Sequence, residues 1–367
     1  MGRLKTIKNI NINNKRVLMR VDFNEKWRIE LVIPTLRYLI RKKAKIILIS
    51  HLGRPNGEIK KNLSLESTAK ELGKLLKKKI LFSKNRIREM KFGDIVMLEN
   101  IRFYPEEEKN SSKLAKELAK LGDVFVNEAF AASHRKHASI VGIPKYLPAV
   151  AGFLFQKEVE ELNKVFLSYN HPLVAIIGGV KIITKLKIIK KFLQKADKLL
   201  LGGALINTIF AAKGMETGKS FIEKDMFKVV QGLNLENPKF VFPVDFVCRN
   251  FGASIKTINA VKENEMIFDI GSKSIELFLE SMKNAKMIIW NGPLGLIEKK
   301  PFDRASKIIA KAIAESSAYS IVGGGDTVAF VKKLGLGKKF NYVSTGGGAM
   351  LEYLANETLP GIEALNK

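Results

Sequence analysis

Apolar runs of strand length alternate with helix-period segments from one end of this 367-residue chain to the other, the pattern of βαβ units and parallel sheets. In the first half, residues 17–23, 45–51, 79–82, 93–98 and 123–127 read as strands, with helices at 33–43, 64–78 and 111–121 between them. The second half restarts with a strand at 173–177 and continues with strands at 198–201, 239–247, 287–290, 319–322 and 341–344. Helical segments at 184–196, 272–285 and 303–316 lie between these. So many strands exceed one open sheet, and single cores stop growing near about 250–300 residues. Two lobes are therefore expected. After Pro148 the segment 151–167 carries Phe155, Val159, Leu162 and Phe166 at helical spacing and is closed by Asn170-His171-Pro172, so it reads as a connecting helix. The expected fold class is α/β: two Rossmann-like lobes, each a parallel sheet flanked by helices, joined by a hinge helix.

Composition narrows the class. Hydrophobic residues make up 46% and charged residues 27%, which suits a folded enzyme and excludes a disordered chain. Cys248 is the single cysteine and no charged-then-apolar leader is seen, so a reducing cytoplasm is the expected compartment. The longest apolar stretch, 199–212, is interrupted by Gly202, Gly203, Asn207 and Thr208 and falls short of the roughly 20 residues a membrane span needs. It reads as a buried strand running into a helix, with no membrane role. The net charge of +27 raises a nucleic-acid reading. However, lysines such as Lys187, Lys190, Lys191 and Lys195 are scattered along solvent faces of a helix, so no nucleic-acid partner is expected. Arginine is distributed differently, with 11 of 13 before residue 136, which points to an anion site in the first half.

Two glycine-rich strand-to-helix turns imply a phosphate site in the second half. Gly323-Gly324-Gly325-Asp326-Thr327 and Ser344-Thr345-Gly346-Gly347-Gly348 each follow an apolar run and lead into a helical pattern. Glycine lets backbone N–H groups approach an anion, and the following helix N-terminus adds partial positive charge. Asp326 can hold the magnesium ion that a polyphosphate brings. In the first half Arg20, Arg54, Arg102 and Arg135 lie in or next to strand ends, with His51 among them. Ligands gather at the C-terminal edges of parallel strands, and several guanidinium forks suit a small, multiply anionic substrate. The stretch Gly214-Met215-Glu216-Thr217-Gly218-Lys219-Ser220 imitates a phosphate-binding P-loop. It has three residues between its glycines instead of four and follows a helical segment, so it reads as an ordinary loop. His134 and His137 lack a third ligand nearby in sequence, which argues against zinc.

Taken together the motifs resemble those of phosphoglycerate kinase, in order from residue 20 to residue 365. Arg20-Val21-Asp22-Phe23-Asn24, Ser50-His51-Leu52-Gly53-Arg54-Pro55, Glu99-Asn100-Ile101-Arg102-Phe103 and Val126-Asn127-Glu128-Ala129-Phe130 with Ser133-His134-Arg135 are similar to that family's substrate lobe. Gly178-Gly179-Val180-Lys181, Gly218-Lys219-Ser220, Trp290-Asn291-Gly292-Pro293 and the two glycine turns are similar to its nucleotide lobe, and Leu359-Pro360-Gly361 to its C-terminal signature.

The resemblance implies reversible phosphoryl transfer between 1,3-bisphosphoglycerate and ADP, giving 3-phosphoglycerate and ATP, with Mg²⁺. Asp22, Asn24, Arg28, His51, Arg54, Arg102 and Arg135 would bind 3-phosphoglycerate, and Arg20 would be structural. Gly179, Gly202 and Gly203 would lie by the adenine, with Pro293 nearby. Asn291 and Glu298 would meet phosphate and ribose, Lys185 the phosphates, and Asp326 the magnesium. Gly323, Gly324, Gly325, Thr327, Gly346 and Gly347 would cradle the outer phosphates. The catalytic set would be Arg28 near the reacting carboxylate, Lys181 on the phosphoryl group in flight, and Gly324 and Gly347. Such a transfer removes no proton from its nucleophile, so no general base is needed.

The resemblance also implies a monomer with a substrate domain at 1–150, a connecting helix at 151–167, a nucleotide domain at 168–350 and a tail at 351–367 returning to the first domain. Hinge closure would bring the half-sites together. The chain departs from the family pattern at Thr184, where a carboxylate is expected, at the short Glu25-Lys26-Trp27 link before Arg28, and at Glu128, Ala131 and Ala305-Ser306. Two other readings are a catalytically weak nucleotide-binding module that uses its charge on nucleic acid, and a different small-acid kinase.

Overall fold

The computed structural model describes residues 4–82, 84–167, 170–249 and 253–366. The chain divides into two units, one of Met1–Glu160 with Asn356–Lys367 and the other of Glu161–Ala355.

In the first unit, β1 (Arg16–Arg20), β2 (Lys45–Ile49), β3 (Ile80–Phe82), β4 (Ile95–Met97), β5 (Val124–Asn127) and β6 (Ala149–Ala151) form a wholly parallel sheet in the order β3-β4-β2-β1-β5-β6. Val17, Met19, Ile46, Leu48 and Val126 pack on one face against Leu36 and Leu39 of α2 (Ile33–Arg41) and Leu72 of α3 (Glu66–Leu76), which follow α1 (Arg28–Leu31). Leu18, Ile47, Val96 and Phe125, which point to the other face, are fully buried too. Burial on both faces explains why these strands read as unbroken apolar runs. From β1 the chain builds outward to β2, then returns to place β5 on the other side. That reversal makes a switch point between β1 and β5, where open α/β sheets bind ligands. The short α4 (Pro105–Glu108) and α5 (Ser112–Ala119) follow β4.

The expected 151–167 helix is shorter. Ala151 instead belongs to β6, paired with Asn127 and bridged to Thr6, so α6 runs Phe153–Asn163 and continues as a 3-10 turn over Lys164–Phe166. The boundary between the two units falls inside α6.

Glu128, at the end of β5, caps the start of α6. Its carboxyl is 1% exposed and accepts hydrogen bonds from Leu154 N (3.1 Å), Phe155 N (3.2 Å) and the Thr35 hydroxyl. Burial outweighs these bonds and pushes Glu128 up to about 7. The folded state therefore keeps a proton that the unfolded chain releases near 4.5, so stability should fall as pH rises from about 4.5 to about 7, by up to about 3 kcal/mol. Urea midpoints at pH 5 and pH 7.5 check this. The wild type should lose more stability across the interval than Glu128→Gln, and parallel curves would contradict the assignment.

In the second unit, β7 (Leu173–Ile177), β8 (Lys198–Leu201), β9 (Phe240–Val241), β13 (Met287–Asn291), β14 (Tyr319–Gly323) and β15 (Tyr342–Val343) form a second parallel sheet in the order β15-β14-β13-β7-β8-β9. Its switch point lies between β7 and β13. The helices are α7 (Leu186–Lys195), α8 (Leu205–Ala212), α9 (Phe227–Gln231), α10 (Ser272–Met282), α11 (Arg304–Glu315), α12 (Gly325–Lys333) and α13 (Gly347–Asn356).

The expected strand 239–247 is two strands. Pro243, which cannot donate to a ladder, separates β9 from β10 (Asp245–Arg249). The latter joins β11 (Ala253–Thr257) and β12 (Met266–Ile270) in a small antiparallel sheet, order β11-β10-β12, added to the parallel frame. The P-loop lookalike is a loop after α8, in which Ser220 Oγ accepts from Ile267 N at 2.9 Å. The chain ends with α14 (Pro360–Leu365) on the first unit, where Gly361 N donates to Ser133 O at 2.9 Å. A Cβ on Gly361 would sit 2.6 Å from Ser133 Cβ, so glycine permits that close approach.

Candidate active site

In the first unit the site is built on loops that leave the C-terminal ends of β1, β2, β4 and β5. The loop after β1 carries Asp22, Asn24 and Arg28. Arg28 Nη1 pairs with Asp22 Oδ1 at 2.9 Å, and Asp22 also accepts from Asn24 N at 3.0 Å. Burial alone would raise the Asp22 carboxyl, but the guanidinium groups of Arg28 and Arg20, with the hydrogen bond from Asn24 N, outweigh it and hold the group at about 2. Asn24 Oδ1 accepts from Gly53 N at 2.7 Å, and Arg102 Nη1, from the loop after β4, donates to Gly53 O at 2.7 Å. One glycine thus ties three loops together.

Arg20 is 1% exposed. Its Nε donates to Ser139 Oγ at 2.8 Å, Nη1 reaches Val21 O, and Nη2 lies 3.1 Å from His51 Nδ1. All three guanidinium nitrogens are used inside the protein, in keeping with a structural arginine. Arg135, half-buried after β5, is close enough for its charge to lower both His51 and Arg102. Burial with that repulsion brings Arg102 down to about 10. Arg20, Arg28, Arg54, Arg102 and Arg135 outnumber the carboxylates among them, Asp22, Glu107 and Glu108, the last paired to Arg102 Nε at 3.2 Å, and so leave net positive charge for an anionic ligand. Arg54 is exposed one residue beyond Gly53, and Arg28 Nε is buried without a partner.

In the second unit the turns after β7, β8 and β13 are pressed together. A Cβ on Gly203 would lie 2.6 Å from Gly179 N, and one on Gly292 only 2.1 Å from Gly178 O, with Gly292 φ at +95°. Beside them is a cavity of about 330 Å³, lined by Gly179, Gly203, Pro293, Leu294, Glu298 and Asp326 among others. That volume suits a small-molecule ligand. The turns after β14 and β15 also meet, since a Cβ on Gly347 would come within 2.9 Å of Gly324 Cα. There α12 and α13 begin, so two helix N-termini open beside each other. Thr327 Oγ1 accepts from Gly292 N at 2.9 Å and locks one set of turns to the other. Gly202 is buried against Leu294, while Gly323 packs against Met350 and Gly325 has open space around it. Gly346 N donates to Ser344 Oγ at 3.2 Å.

Lys185 donates to Asn291 Oδ1, and burial draws its ammonium down to about 8 against the opposing attraction of Asp326. Asn291 Nδ2 is left buried without a partner. Lys181 is exposed, and its ammonium has no partner among the described residues. Thr184, in place of a carboxylate, donates its hydroxyl to Lys181 O at 2.9 Å and so shapes the loop instead of charging it. Three residues escape a sequence reading. Glu107 and Ser139 lie behind Arg20. Asn207 is 1% exposed on the cavity wall, with both amide atoms unpartnered; in sequence it is only a polar interruption of an apolar run.

A family model described as phosphoglycerate kinase matches residues 7–357. A phosphoglycerate kinase of Pelotomaculum thermopropionicum is 41% identical over 98% of each chain, and that of Pseudothermotoga lettingae 42% identical over 98% of each. Among solved structures, phosphoglycerate kinase from Coxiella burnetii superposes with a TM-score of 0.88 at 37% identity over 99% of both chains. The Pyrococcus horikoshii enzyme does so with a TM-score of 0.86 at 31% identity, covering 99% of this chain and 98% of its own.

Proposed function

The chain belongs to the phosphoglycerate kinase family, phosphotransferases that move a phosphoryl group reversibly between 1,3-bisphosphoglycerate and ADP in glycolysis, and we propose how its own residues divide that work. Asp22, Asn24, Arg28, His51, Arg54, Arg102 and Arg135 bind 3-phosphoglycerate. Gly179, Gly202, Gly203, Pro293 and Glu298 hold the base and ribose end of the nucleotide, and Asn291 and Lys185 its phosphates. The paired turns 323–327 and 346–347 receive the outer phosphates through backbone N–H groups. Lys181 and Arg28 neutralise charge on the moving group. The observation that carries this division is that every one of these residues lies at or beyond the C-terminal end of a parallel strand, with the cation cluster in one unit and the glycine turns in the other.

The attacking carboxylate carries no proton, so positioning and charge stabilisation supply the catalysis. Asp326 is the one carboxylate in the first turn of α12, and it also lines the cavity. No cluster of three or more metal-ligating side chains occurs among the described residues. This donor set fits Mg²⁺ arriving with nucleotide phosphates, as opposed to an ion caged by protein alone. Bound there, the ion would neutralise phosphate charge. Asp326→Asn should raise KM for MgATP about tenfold, with KM for 3-phosphoglycerate little changed, as read from initial rates over a Mg²⁺ series. Equal effects on both constants would contradict the role.

The excess positive charge sits on exposed lysines such as Lys187, Lys190 and Lys195, and no helix among the described residues is long and apolar enough to cross a membrane. The reading is of a cytoplasmic monomer with no nucleic-acid partner. ATP consumption tested against 3-phosphoglycerate and a panel of other small acids decides the function. Turnover with 3-phosphoglycerate far above the panel is expected, and preference for another acid would overturn the substrate assignment.

A further inference from the structure

We propose that Glu107 and Ser139 are positioning residues for the substrate-binding histidine: through Arg20 they hold His51 as the neutral tautomer with its proton on Nε2. The proposal rests on the reading of His51 as a 3-phosphoglycerate ligand. Glu107 belongs to the three-glutamate run of α4, yet it is 0% exposed. Its two oxygens are both spent on Ser139, Oε2 accepting from Ser139 N at 2.8 Å and Oε1 from Ser139 Oγ at 2.5 Å. The hydroxyl proton is thereby committed to Glu107, which leaves Ser139 Oγ as an acceptor for Arg20 Nε at 2.8 Å. Arg20 Nη2 then meets His51 Nδ1 at 3.1 Å.

Donor and acceptor roles propagate along this chain in one direction only. A guanidinium has five N–H donors and no acceptor, so Nδ1 of His51 must present its lone pair and the proton must sit on Nε2. A neutral imidazole in that state offers an N–H donor to an anionic ligand. Burial, reinforced by the charges of Arg20, Arg102 and Arg135, lowers the His51 pKa well below its usual value and keeps the ring neutral, with only Asp22 pulling the other way. His137 Nδ1 is 3.7 Å from Glu107 Oε1, too far for a hydrogen bond, and burial brings it to about 4, so it does not compete for the carboxylate.

Glu107→Gln breaks the sequence of donors through its new NH₂ group. If its NH₂ faces Ser139 N, two donors collide. If it faces the hydroxyl, Ser139 Oγ is shared between two donors and its own proton loses the carboxylate that fixed it, so the grip on Arg20 Nε is weakened. Ser139→Ala removes the link outright. Either change frees Arg20 and lets His51 take both tautomers.

The test is ¹⁵N NMR of the imidazole nitrogens at pH 7, tractable because the chain has four histidines, with His51 assigned through His51→Gln. Wild type should show the single Nε2–H form. Glu107→Gln and Ser139→Ala should show tautomer mixing, with KM for 3-phosphoglycerate up about tenfold and KM for ATP unchanged. Folded variants that keep one His51 tautomer overturn the proposal, as does a wild-type His51 protonated on Nδ1 or on both nitrogens, a result that needs no variant to fold. His51→Ala with unchanged KM for 3-phosphoglycerate would instead defeat the substrate reading and leave the tautomer result standing.

Discussion

Lys181→Ala is expected to lower kcat by about a hundredfold to a thousandfold while leaving ADP affinity within about threefold of wild type. Lys181 lies on the loop between β7 and α7, exposed, with an ammonium that nothing among the described residues engages. Nucleotide contacts are by contrast spread over the cavity wall and the paired glycine turns, so losing one exposed cation removes little ground-state binding. An interaction made only with the moving phosphoryl group lowers kcat and kcat/KM together. Single-turnover kinetics with calorimetric ADP binding separates the two effects, and a loss of affinity matching the loss of rate would mean that Lys181 is merely a nucleotide anchor.

The second large effect is structural. Gly292→Ala should destabilise the second unit by more than about 4 kcal/mol or prevent nucleotide binding outright. The added Cβ would fall 2.1 Å from Gly178 O, and Gly292 holds φ at +95°, a region L-residues avoid. Two costs therefore act at one atom, and the obstacle is backbone, which cannot rotate away as a side chain can. The turns after β7 and β13 would have to separate, which also opens the cavity wall at Gly179 and Pro293. Thermal unfolding with and without ADP measures both losses. A variant with wild-type melting temperature and ligand-induced shift would show that these turns tolerate more room than their packing indicates.

Much of this is legible in the sequence. Strands such as β7 and β8 are buried on both faces, and their apolar runs end where the strands end, at Ile177 and Leu201. The glycine turns were visible because phosphate cradles need backbone instead of side chains. What stayed hidden depends on contacts distant in sequence. In β11, residues alternate between exposed and half-buried, so no apolar run marks the strand, and the antiparallel sheet went unseen. Pro243 split a run that looked continuous. Glu107 sits in a glutamate run that reads as a solvated helix face; only the fold carries it beside Ser139, 32 positions away. Ser139 lies 119 positions from Arg20. Asn207 is masked by the apolar residues of α8 around it.

Amide hydrogen exchange with each ligand added alone tests the central claim most directly. The account predicts that 3-phosphoglycerate slows exchange in the loops after β1, β2, β4 and β5, and that MgADP slows it in the turns after β7, β8, β13, β14 and β15. Protection of the same unit by both ligands, or of neither set of loops, would contradict it.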